Sequence, residues 1–243
     1  MNITQITHDL TDLHVPQRLA KLREMVAGRI VFSTSFGLED QLLTHHVASQ
    51  KLAVDVFTLD TGRLFPQVHD LWQATKDKYG IAINGFYPDQ AAISEYVRNQ
   101  GTNGFYHSIE ARKSCCNIRK VEPLGRALKG ARVWISGLRA DQSMAREAVQ
   151  LVSFDESRNL IKFNPLFDTS RGEILAEVKK LNVPINPLHD QGFLSIGCAP
   201  CTRAVAAHED ERAGRWWWEA EGGDQKECGL HINEHGQLVR NNK

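Results

Sequence analysis

Two hydrophobic periods alternate along the chain. Four residues mark where predicted helices begin, end or bend. Asp89 and Thr169 are the expected N-caps of the helices through residues 98 and 181, Gly80 should end the helix over 64–79, and Pro123 should kink the helix over 110–128. Apolar residues recur at helical spacing over residues 15–27, 38–49, 64–79, 89–98, 110–128 and 169–181. Short runs rich in Ile, Val and Phe predict strands at residues 29–33, 53–59, 81–87 and 132–137. A β-hairpin is predicted over residues 149–163.

This alternation of strands and helices predicts an α/β fold, with a mostly parallel sheet covered by helices on both faces. Ligands of such sheets bind beyond the carboxyl ends of the strands. Polar stretches follow three of the predicted strands: STSFGLED at 33–40, LDTGR at 59–63 and SGLRADQS at 136–143. We therefore expect these stretches to form one crevice. The predicted organisation is an α/β domain over 1–204, followed by a mobile tail over 205–243.

The chain of 243 residues carries 29 basic and 29 acidic residues, so its formal net charge is zero. This balance argues against a nucleic-acid partner, and any anion must be held by local clusters of positive charge. The polar first residues lack the apolar core of a signal peptide, and no apolar run reaches the roughly 18 residues that span a bilayer. We expect a cytoplasmic protein without a membrane partner, in which thiols stay reduced.

Four of the five cysteines occur in two pairs, Cys115-Cys116 in KSCCNIRK and Cys198 with Cys201 in GCAPC, whereas Cys228 stands apart in KECGLH. Paired thiols in a reducing compartment are typical of metal sites, with either tetrahedral zinc or an iron–sulfur cluster. Neighbouring side chains diverge, so Cys115 and Cys116 reach two corners of a four-iron cube more readily than one zinc ion. The pattern favours a cluster, then zinc, and last a redox-active disulfide.

The stretch STSFGLED follows a strand and opens a helix, where backbone N–H groups and hydroxyls can hold an anion. It resembles the SGGxDS loop of PP-loop nucleotide-binding enzymes, and LDTG resembles a second element of that superfamily. Phe36 stands where the loop has a glycine, which argues against release of pyrophosphate from ATP. The resemblance implies these substrate-binding residues: Ser33, Ser35, Gly37, Asp60, Thr61 and Gly62.

Four motifs, KSCCNIRKVEPLGRAL, SIGCAPCTR, GRWWWE and KECGLHI, together resemble the assimilatory adenylyl-sulfate (APS) reductases, the cluster-bearing relatives of phosphoadenylyl-sulfate (PAPS) reductase. The resemblance covers nearly the whole chain and implies a PP-loop (adenine nucleotide alpha hydrolase-like) architecture with Cys228 as the nucleophile. It implies a 4Fe–4S cluster on Cys115, Cys116, Cys198 and Cys201. In the family, the active site is lined by positions that match Lys120, Arg139, Arg212 and Arg215.

Basic residues have a physical role in such a reaction. A phosphosulfate and an attacking thiolate are both anions, so fixed cations must offset their repulsion and stabilise the leaving phosphate. Arg119 and Lys120 follow the Cys115-Cys116 pair closely, and Arg212 and Arg215 share one face if their segment is helical. A further candidate, His231, lies three residues beyond the nucleophile and can assist proton transfer.

The resemblance implies reduction of APS to sulfite and AMP, with reduced thioredoxin as the electron donor and an S-sulfocysteine on Cys228 as the intermediate. Gly222-Gly223 and Gly229 around this cysteine suit a tail that visits the substrate and then leaves. A homo-oligomer is expected. Three adjacent indoles, Trp216-Trp217-Trp218, cannot all face one core, so some should cover the tail hinge or a subunit contact.

Three other functions fit parts of the sequence. A PAPS reductase would use the same mechanism on a 3′-phosphorylated nucleotide. A PP-loop ATP-dependent ligase or sulfurtransferase with structural zinc would release pyrophosphate, which Phe36 and the ECGLH tail argue against. A zinc-stapled nucleic-acid module is the weakest alternative, because the net charge is zero and the sequence has no interleaved basic–aromatic stripe.

Overall fold

The computed structural model describes residues 3–143, 146–219 and 229–230. Its centre is a six-stranded sheet. The strands are β1 (Ile30–Ser33), β2 (Asp55–Leu59), β3 (Ile83–Phe86), β4 (Val133–Ile135), β5 (Val152–Asp155) and β6 (Leu160–Phe163). In the order β3-β2-β1-β4-β6-β5, every pair is parallel except the last. The predicted hairpin over 149–163 is confirmed as the antiparallel pair of β5 and β6.

Helices lie on both faces of this sheet. The described α-helices are α1 (Ile3–Thr11), α2 (Val15–Met25), α3 (Leu38–Ser49), α4 (Pro66–Tyr79), α5 (Gln90–Gln100), α6 (Ile109–Cys116), α7 (Glu122–Leu128) and α8 (Arg171–Lys180). A π-helical turn, Asn117–Val121, joins α6 to α7. Short 3-10 turns occupy Gly104–Tyr106, Ala140–Gln142, Pro187–Gln191 and Ala199–Cys201. The helices predicted over 15–27, 38–49, 64–79 and 89–98 are confirmed as α2 to α5.

The side chains of β1 alternate between two hydrophobic cores, as expected of a strand buried on both faces. Ile30 and Phe32 pack in the larger core with residues of α1, α2, α3 and α8. Val31 packs in the other core with Leu124 and Leu128 of α7. The prediction of a mostly parallel sheet with helices on both faces is therefore confirmed.

Three local features differ from the predictions. Helix α1 was not predicted, because its only fully buried positions are Ile6 and Leu10, too few for a clear period. Helix α8 is capped by Ser170 instead of Thr169, since the Ser170 hydroxyl accepts from Glu173 N–H in a capping box. The single helix predicted over 110–128 is divided by the π turn, which lies directly before Pro123 and accommodates a ring that would crowd a regular α-helix.

The segment 205–219, the first part of the predicted tail, packs on the GCAPC turn. Arg203 N–H donates to Gly214 carbonyl at 3.0 Å, and Trp216 N–H donates to Cys201 carbonyl at 3.2 Å. Trp216 is 1% exposed and Trp217 is 50% exposed, so the prediction that the indoles do not share one core is confirmed. Within the described residues, no helix has both the length and the apolar character needed to cross a bilayer.

Candidate active site

A cavity of about 190 Å³ lies at the carboxyl edge of the parallel strands. Its wall includes Ser33, Ser35 and Gly37 after β1, Thr61 after β2, and Gly137 after β4. The predicted meeting of the three polar stretches at one crevice is therefore confirmed. This follows from the parallel sheet, because the carboxyl ends of β1, β2 and β4 lie side by side at the same edge.

The loop after β1 is held closed by Asp40, in the first turn of α3. Its carboxylate accepts from Ser35 N–H at 2.6 Å and from the Ser35 hydroxyl at 2.7 Å. Burial raises the pKa of Asp40 to about 6, although the two Ser35 hydrogen bonds act in the opposite direction. Phe36 adopts a left-handed backbone with φ of 59°, as a glycine would, and its buried ring stacks on Trp72 instead of lining the cavity.

Asp60 and Gly62 support this edge without forming the described cavity wall. The Asp60 carboxylate accepts from Gly62 N–H at 2.9 Å and lies 3.1 Å from His69 Nε2. This bond closes the turn that presents Thr61 to the cavity. Of the three LDTG residues predicted to bind substrate, Thr61 lines the described cavity wall, whereas Asp60 and Gly62 do not.

Several cationic side chains line the cavity: Lys120, Arg146, Arg212 and Arg215. Arg146 was missed from the sequence, and the only signal for it was its place a few residues beyond the SGLRADQS stretch. The other predicted arginines lie elsewhere. Arg119 Nη1 donates to Thr61 carbonyl at 2.5 Å, on the side of the cysteines. Arg139 is fully buried among carboxylates and is not part of the described cavity wall.

The four paired cysteines line a second, smaller cavity, together with Arg119 and Lys120. Their side chains are reduced thiols, and each residue is at most 9% exposed: Cys115, Cys116, Cys198 and Cys201. The first two end α6, whereas Cys198 precedes the turn Ala199–Cys201 and Cys201 is its last residue. Among the residues described, no three Cys, His, Asp or Glu side chains converge on a position for one metal ion. Lys120 lines both cavities and therefore forms the partition between them.

The four thiols do not share one electrostatic environment. Burial raises the pKa of Cys115, and it raises the pKa of Cys201 to about 12. Burial acts in the same direction on Cys198, but the charge of Lys120 and a hydrogen bond with Thr61 outweigh it and lower the pKa of Cys198. The Thr61 hydroxyl lies 3.2 Å from Cys198 Sγ. Among Cys115, Cys198 and Cys201, the thiolate form that metals bind is thus best supported at Cys198.

The chain returns to the first cavity after the described part of the tail. Leu230 lines this cavity and packs against the core that contains Leu124, with Leu59 and Phe86 beside it. A Cβ at Gly229 would lie 3.2 Å from Val121 Cγ2, so the backbone there is close to the π turn. The predicted nucleophile Cys228 and the predicted proton-transfer residue His231 fall outside the described residues.

The fold and the cavity define an α/β protein with a mostly parallel six-stranded sheet and a cavity at its carboxyl edge. Among solved structures, yeast FAD synthetase in complex with FAD has a TM-score of 0.50 and 16% identity, over 82% of this chain and 73% of that chain, which shows the fold alone. PAPS reductase from Candida auris, in a phosphate complex, has a TM-score of 0.71 and 26% identity, and the match covers 84% of this chain and 96% of that one.

Sequence comparison defines the family more narrowly. The family model "Phosphoadenosine phosphosulfate reductase domain" matches residues 29–204. The adenosine 5′-phosphosulfate reductase of Agrobacterium fabrum is 51% identical over 85% of this chain and 79% of its own length, and that of Sinorhizobium fredii strain NBRC 101917 is 49% identical over 95% and 90%. The chain therefore belongs to the phosphoadenosine phosphosulfate reductase family, and the resemblance inferred from its cysteine motifs is confirmed.

Proposed function

We propose that this protein reduces adenylyl sulfate to sulfite and AMP, with Cys228 as the nucleophile and reduced thioredoxin as the electron donor. One observation carries the proposal. Leu230, two residues beyond Cys228, lines the same cavity as the strand-end loops and the cationic side chains. Because Cys228 is only two residues from Leu230 in the sequence, we propose that its thiol acts at this cavity, whose wall suits a nucleotide anion. The names of the relatives, adenosine 5′-phosphosulfate reductase, support this substrate.

The cavity wall supports a division of roles in binding. The loop after β1 presents hydroxyls and backbone N–H groups at the start of α3, where an anionic nucleotide is favoured. Lys120, Arg212 and Arg215 supply the positive charge that a phosphosulfate and a thiolate both require. Arg146 is a further cation on the same wall. We propose that these side chains hold the phosphosulfate and stabilise the AMP that leaves.

The reaction balances in three steps. The Cys228 thiolate attacks the sulfur of adenylyl sulfate, an S–S bond forms, the bond from sulfur to the phosphate oxygen breaks, and AMP leaves with the electron pair. A thiolate of reduced thioredoxin then attacks Cys228 Sγ and expels sulfite. The second thioredoxin thiol resolves the mixed disulfide and restores the Cys228 thiol. Sulfur is reduced by two electrons, and the thioredoxin dithiol is oxidised by two. His231 is proposed to assist proton transfer.

The donor set of the second cavity supports a 4Fe–4S cluster. Four reduced, buried thiols share its wall, and thiolates are the usual ligands of such clusters. We propose that the cluster is held by Cys115, Cys116, Cys198 and Cys201. When bound, it would supply fixed charge and a cross-link between the end of α6 and the GCAPC turn. Iron and acid-labile sulfide, counted per chain after anaerobic purification, test this assignment, and zinc without sulfide would contradict it.

The substitution Cys228→Ser tests the proposed mechanism. We expect it to abolish sulfite release while leaving AMP binding and iron content unchanged, because the thiol is needed only for the chemical step. Without thioredoxin, the wild-type protein should release one equivalent of AMP and retain one SO₃ group on the peptide that contains Cys228. Sulfite release by the serine variant at the wild-type rate would contradict the mechanism.

The family description and the Candida auris structure, a PAPS reductase, favour a second candidate substrate, PAPS. The mechanism would be the same, with a nucleotide that carries a 3′-phosphate. Side-by-side kcat/KM values for the two nucleotides decide between the substrates. We expect the higher value for adenylyl sulfate, because relatives near 50% identity are named for it.

A further inference from the structure

Arg139 is enclosed by carboxylates. Its side chain is 0% exposed, its Nε donates to Glu39 Oε1 at 2.8 Å, and its Nη2 donates to Glu211 Oε2 at 2.7 Å. Its Nη1 donates to Asp141, two residues along the same loop. Every nitrogen of the guanidinium therefore donates a hydrogen bond to a carboxylate of this chain.

These contacts join three separate segments. Glu39 lies in the first turn of α3, directly after the loop that closes on Asp40. Arg139 follows β4, and Glu211 lies in the segment 205–219. The residue after Glu211 is Arg212, one of the cations that line the substrate cavity. The orientation of the Glu211 carboxylate is thus linked through one peptide unit to the position of Arg212.

The charges explain why an arginine is needed at this position. The side chains of Glu39 and Glu211 are only 11% and 15% exposed, and two carboxylates so poorly hydrated repel each other unless a cation lies between them. A guanidinium offers donors in a planar fork that reaches both, which a lysine ammonium cannot do. Arg171, at the start of α8, adds a longer contact of 3.4 Å to Glu211.

We propose that Arg139 is a positioning residue that acts through Glu211: it anchors the segment 205–219 so that Arg212 and Arg215 face the phosphosulfate, and it does not itself touch the substrate. This inference rests on the proposed function. It changes the role expected for Arg139 from the family resemblance, and it adds Glu211 to the residues on which substrate affinity depends.

A double-mutant cycle tests the proposal. Arg139→Gln and Glu211→Gln should each raise the KM for adenylyl sulfate by about tenfold, with a smaller effect on kcat. The double variant should show about the same KM as either single variant, because both changes remove one shared contact. If the two effects multiply in the double variant, Arg139 and Glu211 act independently and the proposal is overturned.

Further variants separate positioning from loss of stability. Arg139→Lys keeps the charge but not the fork, so its KM should lie between those of wild type and Arg139→Gln; a wild-type KM would contradict the proposal. Arg18→Gln is the matched control, since Arg18 is 4% exposed and is paired with Asp168 away from the cavity. It should lower the melting temperature without raising KM. If Arg139→Gln does not fold, Glu211→Gln keeps the test open, because it removes the charge of the Glu211 carboxylate while Arg139 stays paired with Glu39 and Asp141. A wild-type KM in that variant overturns the proposal.

The assay of the wild-type protein distinguishes the two levels of inference. Wild-type protein that binds AMP but releases no sulfite from adenylyl sulfate contradicts the proposed function. Wild-type protein that turns over normally, with multiplicative effects of the two substitutions, contradicts only the role of Arg139.

Discussion

Gly137 lies where the loop after β4 passes closest to α3. A Cβ at this position would be 3.0 Å from Glu39 Cβ and would overlap Asp40 Oδ1. Because both neighbours belong to the first turn of α3, a side chain at residue 137 would push this turn and the loop before it away from the cavity. The absence of a side chain is therefore part of the shape of the site.

We predict that Gly137→Ala lowers the free energy of unfolding by about 1–3 kcal/mol, as overpacking does, and weakens AMP binding. Urea denaturation and calorimetric titration with AMP measure the two effects. Gly125→Ala in α7 is the control, since no atom lies within 4 Å of the position that a Cβ would take there. That change should stabilise by roughly 0.5–1 kcal/mol, because alanine is the better helix former. Unchanged AMP affinity in Gly137→Ala would contradict the prediction.

His46 gives the folded chain a predictable response to acid. Burial of the ring lowers the pKa of His46 from 6.5 to about 4, and the neighbouring His45 acts in the same direction. Glu177 lies 3.4 Å from His46 Nε2 and favours the protonated ring, but its side chain is 39% exposed and burial outweighs it. The unfolded chain binds a proton near pH 6.5 and the folded chain only near pH 4, so this contribution to stability is complete above pH 6.5 and is lost as the pH falls towards 4.

His46→Gln should remove up to about 2 kcal/mol of the loss in stability between pH 7.5 and pH 4. Urea denaturation at several pH values in this range is the measurement. His107→Gln serves as the control, because His107 is exposed and should leave the pH profile unchanged. An identical acid response in wild type and His46→Gln would show that another group is responsible.

At the scale of elements, the π turn is a feature that the spacing of apolar residues did not predict. Apolar spacing predicted one continuous helix over 110–128, and the structure inserts the wider turn Asn117–Val121 within it. A period of 3.6 residues and the wider π period cannot be separated over five residues from apolar positions alone. The turn matters for the site, because it carries Lys120 to the walls of both cavities and Arg119 to the wall of the second.

A second element, the segment 205–219, is attached to the cysteine region through Trp216. The guanidinium carbons of Arg112 and Arg215 lie 4.5 and 4.8 Å from the Trp216 ring centroid. Arg112 also pairs with Glu219 at 2.5 Å. Arg215 is buried, and its Nε has no hydrogen-bond partner among the described residues, so the indole face is a main determinant of its orientation.

Trp216→Leu should raise the KM for adenylyl sulfate several-fold, since a cation–π contact is worth about 0.5–2 kcal/mol and leucine offers no ring face. Steady-state kinetics and iron content, measured together, separate loss of Arg215 orientation from loss of the metal. Trp216→Phe should restore much of the affinity. The exposed neighbour offers a matched control, Trp217→Leu, which should leave KM unchanged. Equal KM values for Trp216→Leu and Trp217→Leu would contradict this role.

At the scale of the whole molecule, the cavity is completed by a residue far along the chain. Leu230 lines the cavity together with Leu59 of β2, and it packs against the core that contains Leu124 and Leu128 of α7. Burial of this side chain attaches residue 230 to the core on one face of the sheet.

Leu230→Ala should therefore lower kcat/KM for adenylyl sulfate by about tenfold, because the apolar burial of one leucine is worth about 1.5–3 kcal/mol and Leu230 is only partly buried. Sulfite release measures this effect, and the melting temperature should change little. Leu175→Ala is the control, on the exposed face of α8 at 41% exposure. If kcat/KM is unchanged in Leu230→Ala, the contact does not contribute to turnover.

Much of the site could be predicted at the level of segments. STSFGLED, LDTGR and SGLRADQS were expected at the strand ends, and they do line one cavity. The individual cations that line the cavity were harder to predict. Nothing in the sequence distinguishes Arg146, which lines the cavity, from Arg139, which is enclosed by Glu39 and Glu211. Each is an arginine in the same polar loop, and its direction depends on carboxylates distant in sequence.

The sequence by itself determined the alternation of strands and helices, the position of the polar loops, and the presence of two pairs of thiols. These are local properties, set by hydrophobic period, turn residues and ligand chemistry. Only the tertiary structure decided that Cys115-Cys116 and Cys198 with Cys201 share one cavity, that Lys120 lines both this cavity and the larger one, and that Leu230 returns to the larger one. The physical reason is that contacts between segments dozens of residues apart depend on how the whole sheet and its helices pack, which no local pattern records.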